Sequence, residues 1–131
     1  MTLPKLTTTM RANAAFSAAS GVAAVILAAM SETPLGVNRW LLGAIGLGLI
    51  GYGVQLYAWA GSPRLVKPGA RLATAADALW VLGAVVLLTW FPDAMSTAGR
   101  WTLGLASLAV ADFAVMQFLG LRRPETVTAS A

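Results

Sequence analysis

Two aspartates, Asp77 and Asp112, stand inside long apolar runs, and no other acidic residue does. A carboxyl group in that setting can hold a proton or a cation inside a membrane, and it is costly there unless neutralised or paired. Asp112 lies eleven positions after Trp101 and ten before Arg122, near the middle of its run, and no Lys or Arg stands at that depth in any run. It reads either as a proton- or cation-coupling site or as a protonated acid that hydrogen-bonds a neighbouring helix as packing glue. Asp77 lies nearer a run's end. With Asn13, Ser17, Gln55 and Gln117 it makes a polar layer one to two turns from the end that carries most of the basic residues, within reach of Arg71 and Arg11. That layer reads as a vestibule facing the cytoplasm, as a docking site for a partner, or as ordinary interhelical hydrogen bonding.

What is missing narrows the chemistry further. The chain has no cysteine and no histidine. Disulfides, thiol redox chemistry, Cys/His zinc sites, His-ligated haem and histidine acid–base work are therefore excluded. No phosphate-binding loop, nucleophile–base pair or metal-ligand cluster occurs in the sequence, so no catalytic residue, metal ion or cofactor is expected. Asp77 and Asp112 are 35 residues apart (112 − 77) and at different depths, a poor acid/base pair.

The elements that must position these residues follow from composition. Of 131 residues, 58% are hydrophobic and 11% are charged, with a mean hydropathy of +0.74. A soluble domain carries about a quarter charged residues, so the solvent for this surface must be lipid. Six prolines leave four apolar runs: about 13–30, 39–60, 74–91 and 100–121. Each has the roughly 17–25 residues that a transmembrane helix needs. The first run follows Lys5 and Arg11 as a signal peptide would, but it is long for a cleaved segment and is read as a retained span. The segment from Gly61 to Arg71 reads as a short basic connection lying along the lipid headgroups.

Orientation follows from the cations. Lys5, Arg11, Arg64, Lys67, Arg71, Arg122 and Arg123 fall on one side, against Arg39 and Arg100 on the other, which places both termini in the cytoplasm. Trp40, Trp90 and Trp101 fall at the outer boundary and Trp59 near the inner one, as interfacial anchors do. Trp80 lies about two turns inside. The net charge of +4 reads as this topology signal and not as a nucleic-acid surface, since no basic patch with interleaved aromatics exists.

The halves, about 11–64 and 74–123, resemble each other. Arg39-Trp40-Leu41-Leu42-Gly43 returns as Arg100-Trp101-Thr102-Leu103-Gly104, an offset of 61 (100 − 39), with Gln55 and Gln117 following at an offset of 62. Each half also has a proline, Pro34 or Pro92, in its short outer loop. The expected fold is a single all-α transmembrane domain of four helices, two parallel-repeat hairpins with both termini inside. Neither the inversion nor the interrupted helices of many transporters are present. On the second helix Ala44, Gly48, Gly51, Gln55 and Ala58 share one face, widened by Gly43, Gly46 and Gly53. This small-residue stripe is expected to meet the first or fourth helix, or else to form a homodimer seam or docking face.

The pieces Asn13-Ala-Ala-Phe-Ser-Ala-Ala-Ser-Gly21, Ala76-Asp-Ala-Leu-Trp-Val-Leu-Gly83, Ala111-Asp-Phe-Ala114 and Leu119-Gly-Leu-Arg-Arg123 resemble a group of small bacterial integral membrane proteins with no assigned function. The resemblance implies a four-helix fold and a plasma-membrane location. Small multidrug-resistance exporters share the length and helix number, but they rely on an acid in the first helix, where this chain has none. The expected role is a non-enzymatic accessory or structural subunit of a larger plasma-membrane complex, with lipid and a membrane-protein partner or further copies around it. The alternative is a small homo-oligomeric transporter or channel coupled through Asp112. A lipid-modifying enzyme ranks last.

Overall fold

A computed structural model of the protein describes residues 5–30 and 34–122. Arg123, counted above among the topology cations, lies outside them, as do Pro4 and Pro124. The described chain forms four long helices, α1 Leu6–Ala29, α2 Arg39–Ala60, α3 Val66–Trp90 and α4 Thr97–Arg122, with a short 3₁₀ turn at Pro92–Ala94. All four are long and apolar enough to cross a bilayer, which marks a multi-pass membrane protein. Their outer surface agrees: Leu47, Leu79, Leu82, Leu105 and Leu108 are each exposed by 60% or more, a distribution suited to lipid and not to water.

α2 begins as expected because Asn38 caps it, its side-chain oxygen accepting from the amides of Trp40 and Leu41; an asparagine in that position satisfies donors that the helix leaves free. Two starts differ from expectation by more than a turn, and α4 begins three residues early, at Thr97. α1 begins at Leu6, seven residues early, since Thr9 and Met10 are buried and continue its inward face. α3 begins at Val66, eight residues early, so most of the expected loop is helix. Pro68 is tolerated because it sits in the first turn, where its missing N–H has no partner to lose. Gly69 lies flat under Trp59, whose ring atoms would stand 2.8 Å from a Cβ there, and Ala70 is fully buried.

α1 packs mainly on α2 and α3 mainly on α4. The first pair meets backbone to backbone. A Cβ on Gly21 would stand 2.5 Å from the Gly46 carbonyl oxygen, one on Gly46 2.7 Å from that of Gly21, and one on Gly53 2.7 Å from that of Ala14. The two hairpin turns lie at one end, where Ser96 joins them. Its amide donates to the Leu35 carbonyl at 3.0 Å and its hydroxyl to the Pro34 carbonyl at 2.7 Å.

Inside, the bundle is layered. At the end away from the hairpin turns, Met10, Ala14, Leu56, Ala60, Ala70 and Ala73 form an apolar plug. Polar side chains form the next layer. Beyond them, towards the hairpin turns, lies a cleft.

Candidate functional site

The polar layer draws one or two side chains from every helix. Asn13 and Ser17 come from α1, Tyr52 from α2, Thr74 and Asp77 from α3, and Gln117 from α4. Asn13 and Gln117 are fully buried and Asp77 is 3% exposed. The Asp77 carboxyl is the hub. The Asn13 amide donates to Oδ2 at 2.8 Å and the Gln117 amide to the same oxygen at 3.2 Å. The Tyr52 hydroxyl stands 2.8 Å from Oδ1. Asn13 Nδ2 also donates to Gln117 Oε1 at 2.8 Å, and the Ser17 hydroxyl donates to Asn13 Oδ1 at 3.2 Å. Among the described residues no buried side-chain polar atom lacks a partner. A half-satisfied network would be worse than an apolar core, so this completeness matters for stability.

The Tyr52 hydroxyl has one proton and two acceptors, since it also lies 3.2 Å from the Ala73 carbonyl. With Asp77 ionised, the hydroxyl donates to Oδ1. With Asp77 protonated, the acid donates to the Tyr52 oxygen and the hydroxyl turns to Ala73. Both protonation states leave every group paired.

The cleft next to this layer has a volume of about 180 Å³ and is partly open; Asp77, Tyr52, Phe16, Leu49, Trp80 and Val110 are among its walls. The Trp80 indole is held by the Ser107 hydroxyl at 3.2 Å. A larger depression of about 460 Å³ runs along α4 from Thr97 to Leu108. It has a single helix for walls, and its Arg100 is directed to Pro92 and Thr97, so it is a furrow between side chains and not a site. Among the described residues no group of three or more His, Cys, Asp or Glu is placed to hold a metal ion.

The sequence candidates therefore divide. Asn13, Ser17, Asp77 and Gln117 come together. Gln55 does not join them, because it is exposed on α2. Leu56, which stands at the same offset of 61 from Gln117 as Arg39 does from Arg100, is fully buried like Gln117. Asp77 meets Asn13, Tyr52 and Gln117, and not the expected Arg71 or Arg11; Arg11 instead lies 5.9 Å from the Tyr57 ring centre. Between the layer and the end bearing the α2–α3 connection stands the apolar plug of Met10, Ala14, Leu56, Ala60, Ala70 and Ala73. Ala44, Gly48, Gly51 and Ala58 face outward, and a Cβ on Gly48 or Gly51 would meet nothing within 4 Å. The expected contact of this stripe with α1 or α4 is replaced by Gly46 and Gly53 on the other side of the same helix. Asp112 is also exposed, on a face with Leu105, Leu108 and Val115. Trp40, Trp90 and Trp101 are 66–80% exposed at helix ends, while Trp59 packs on Gly69.

Sequence reasoning passed over Tyr52. Its signal was a phenol inside an apolar run at the depth of the other polar residues, farther in than Tyr57, and a buried tyrosine hydroxyl generally has a partner. Comparison with family models, curated proteins and solved structures found no match to this chain.

Proposed function

We propose that this chain is a non-enzymatic accessory subunit that assembles laterally with other protein in a bacterial plasma membrane. One observation carries the reading: Asp112 is exposed near the middle of α4, among apolar side chains, with no hydrogen-bond or ion-pair partner among the described residues. A carboxyl group left facing lipid is costly, and acids within membrane spans mark contacts or pathways. A partner helix that donates to Asp112 removes that cost. The outward Gly48 and Gly51 offer a second surface that a helix can approach closely, as small residues do in membrane interfaces.

The topology proposed is two parallel-repeat hairpins with both termini in the cytoplasm. Burial supports the duplication as well as the repeated Arg-Trp segment does. At an offset of 60, Thr9, Met10, Asn13, Ser17 and Ala24 align with Gly69, Ala70, Ala73, Asp77 and Ala84, and all ten are buried. At an offset of 61, Gly46 and Leu56 align with the buried Ser107 and Gln117. Lys and Arg placement supports the orientation.

The test is a mild-detergent purification of the tagged protein from its native membrane, with mass spectrometry of what co-migrates. Recovery with a stoichiometric partner that Asp112→Leu releases supports the reading. Recovery of a free monomer overturns it. A homo-oligomer favours the second reading, a small transporter or channel. The cleft beside Asp77 speaks for that reading, and it moves the coupling role from Asp112 to Asp77.

A further inference from the structure

We infer that the cleft between the hairpins is a binding site for a compact alkylammonium cation, held by the Asp77 carboxylate in exchange for a proton. Transport is not required for this site to exist, and the site does not depend on the lateral assembly proposed above.

The chemistry of the walls selects the ligand. Asp77 stands at the inner end of the cleft, and the remaining walls are largely apolar and aromatic: Phe16, Leu49, Trp80 and Val110, with the ring of Tyr52. A carboxylate beside aromatic faces suits a cation that carries its own apolar surface, through charge pairing and cation–π attraction. An inorganic ion asks for more. Na⁺, K⁺ and the divalent ions need several oxygens around them, and the cleft offers only the Ser17, Ser20 and Tyr52 hydroxyls beside the single acid. A volume of about 180 Å³ is below the roughly 300 Å³ at which pockets for drug-sized ligands begin, so the cation is small.

The surroundings of Asp77 leave its charge available. Facing it are Asn13 and Ser17 from α1, Tyr52 from α2, Thr74 from its own helix and Gln117 from α4. All are neutral, and Tyr52 is the only other titratable group among them. Arg11 and Arg71 are exposed and neither contacts the carboxyl. The donors orient the carboxylate without neutralising it, so a cation in the cleft is the missing counter-charge. When no cation is bound, a proton on Asp77 fills that role, and the second orientation of Tyr52 accommodates it. Binding therefore moves that proton from the Asp77 carboxyl to solvent while the cation pairs with the carboxylate left behind. Lower pH favours the proton and weakens the cation.

The probe is tetramethylammonium or tetraethylammonium, titrated by calorimetry into the full chain in detergent micelles at pH 8 and pH 5. The expected result is binding at pH 8 that weakens at least tenfold at pH 5, with heats that depend on the buffer because protons are released. Asp77→Asn should abolish binding and Asp112→Asn should leave it unchanged. Ala106→Phe fills the cleft without touching the carboxyl network, and it should also abolish binding. This second variant keeps the test decisive if Asp77→Asn fails to fold. The inference is overturned if neither ion binds the folded chain, if affinity is the same at both pH values, if Na⁺ competes as well as the organic ions, or if Ala106→Phe binds as well as the parent.

Discussion

Asp77 and Asp112 are the same side chain, each within a membrane-spanning helix, and the fold treats them in opposite ways. Asp77 is enclosed by donors from three other helices. Asp112 is exposed on a face with Leu105 and Leu108 and has no hydrogen-bond or ion-pair partner among the described residues. The first acid is part of what holds the four helices together. The second contributes nothing to the isolated monomer and is costly to it. The contrast teaches that a place within a membrane span does not by itself assign a role to an acid. Its direction around the helix does, because the bilayer offers no hydrogen bonds and only protein can satisfy the group.

The strongest way to break the comparison is to remove the inner hub. Asp77→Leu leaves the donors of Asn13, Tyr52 and Gln117 with poorer partners, in a layer to which all four helices contribute. Unpaired buried donors cost about 1–3 kcal/mol each, and partial rescue by Ala73 and Thr74 reduces the sum, so a loss of about 3 kcal/mol is expected in detergent unfolding followed by circular dichroism. A loss within about 0.5 kcal/mol, the range of ordinary surface changes, would make Asp77 no more structural than Asp112. Next is Gly53→Val, which forces a side chain against the Ala14 backbone. Overpacking of this kind costs about 1–3 kcal/mol. Gly51→Val, two residues away and facing open space, should cost far less in the same assay. Smaller again is Tyr52→Phe. It removes one hydrogen bond at the edge of the layer and should cost about 1 kcal/mol, measured the same way.

Which parts of this were legible in the sequence follows from the solvent. The four spans were readable because each apolar run is bounded by proline, by charge or by Asn38, and α2 matches its expected bounds. The inner polar layer was readable as a depth, through Asn13, Ser17, Asp77 and Gln117. What the sequence could not supply was direction. In water a helix shows its inner face by its apolar stripe, but in lipid both faces are apolar. Glycines at positions 43, 46, 48, 51 and 53 cover both sides of α2, so the choice of Gly48 and Gly51 over Gly46 and Gly53 had no hydrophobic contrast behind it. Gln55 matches Gln117 by residue type but one position out of register with the Arg-Trp repeat, and the adjacent Leu56 takes the inward place. The early starts of α1 and α3 were hidden for a related reason. Thr7-Thr8-Thr9 and Lys67-Pro68-Gly69 read as polar connection, and only tertiary burial of Met10 and Ala70 carries the helices through them.

The smallest expected change in stability is the most informative about the outer acid. Asp112→Leu replaces an exposed carboxyl by the residue type that already surrounds it at Leu105 and Leu108. In the monomer nothing is lost, because the carboxyl has no partner to leave unsatisfied, and a lipid-facing surface becomes uniformly apolar. Detergent unfolding should therefore be unchanged within about 0.5 kcal/mol, or slightly stabilised. The same substitution should release whatever co-purifies from the native membrane, since a helix that donates to Asp112 loses its acceptor and keeps an unpaired donor in lipid. The two readouts pull apart the roles of the acids: Asp77→Leu should weaken both the fold and any assembly built on it, whereas Asp112→Leu should weaken assembly alone. If Asp112→Leu destabilises the monomer by as much as Asp77→Leu does, the outer acid belongs to the core, and the division between an inward structural acid and an outward docking acid is wrong.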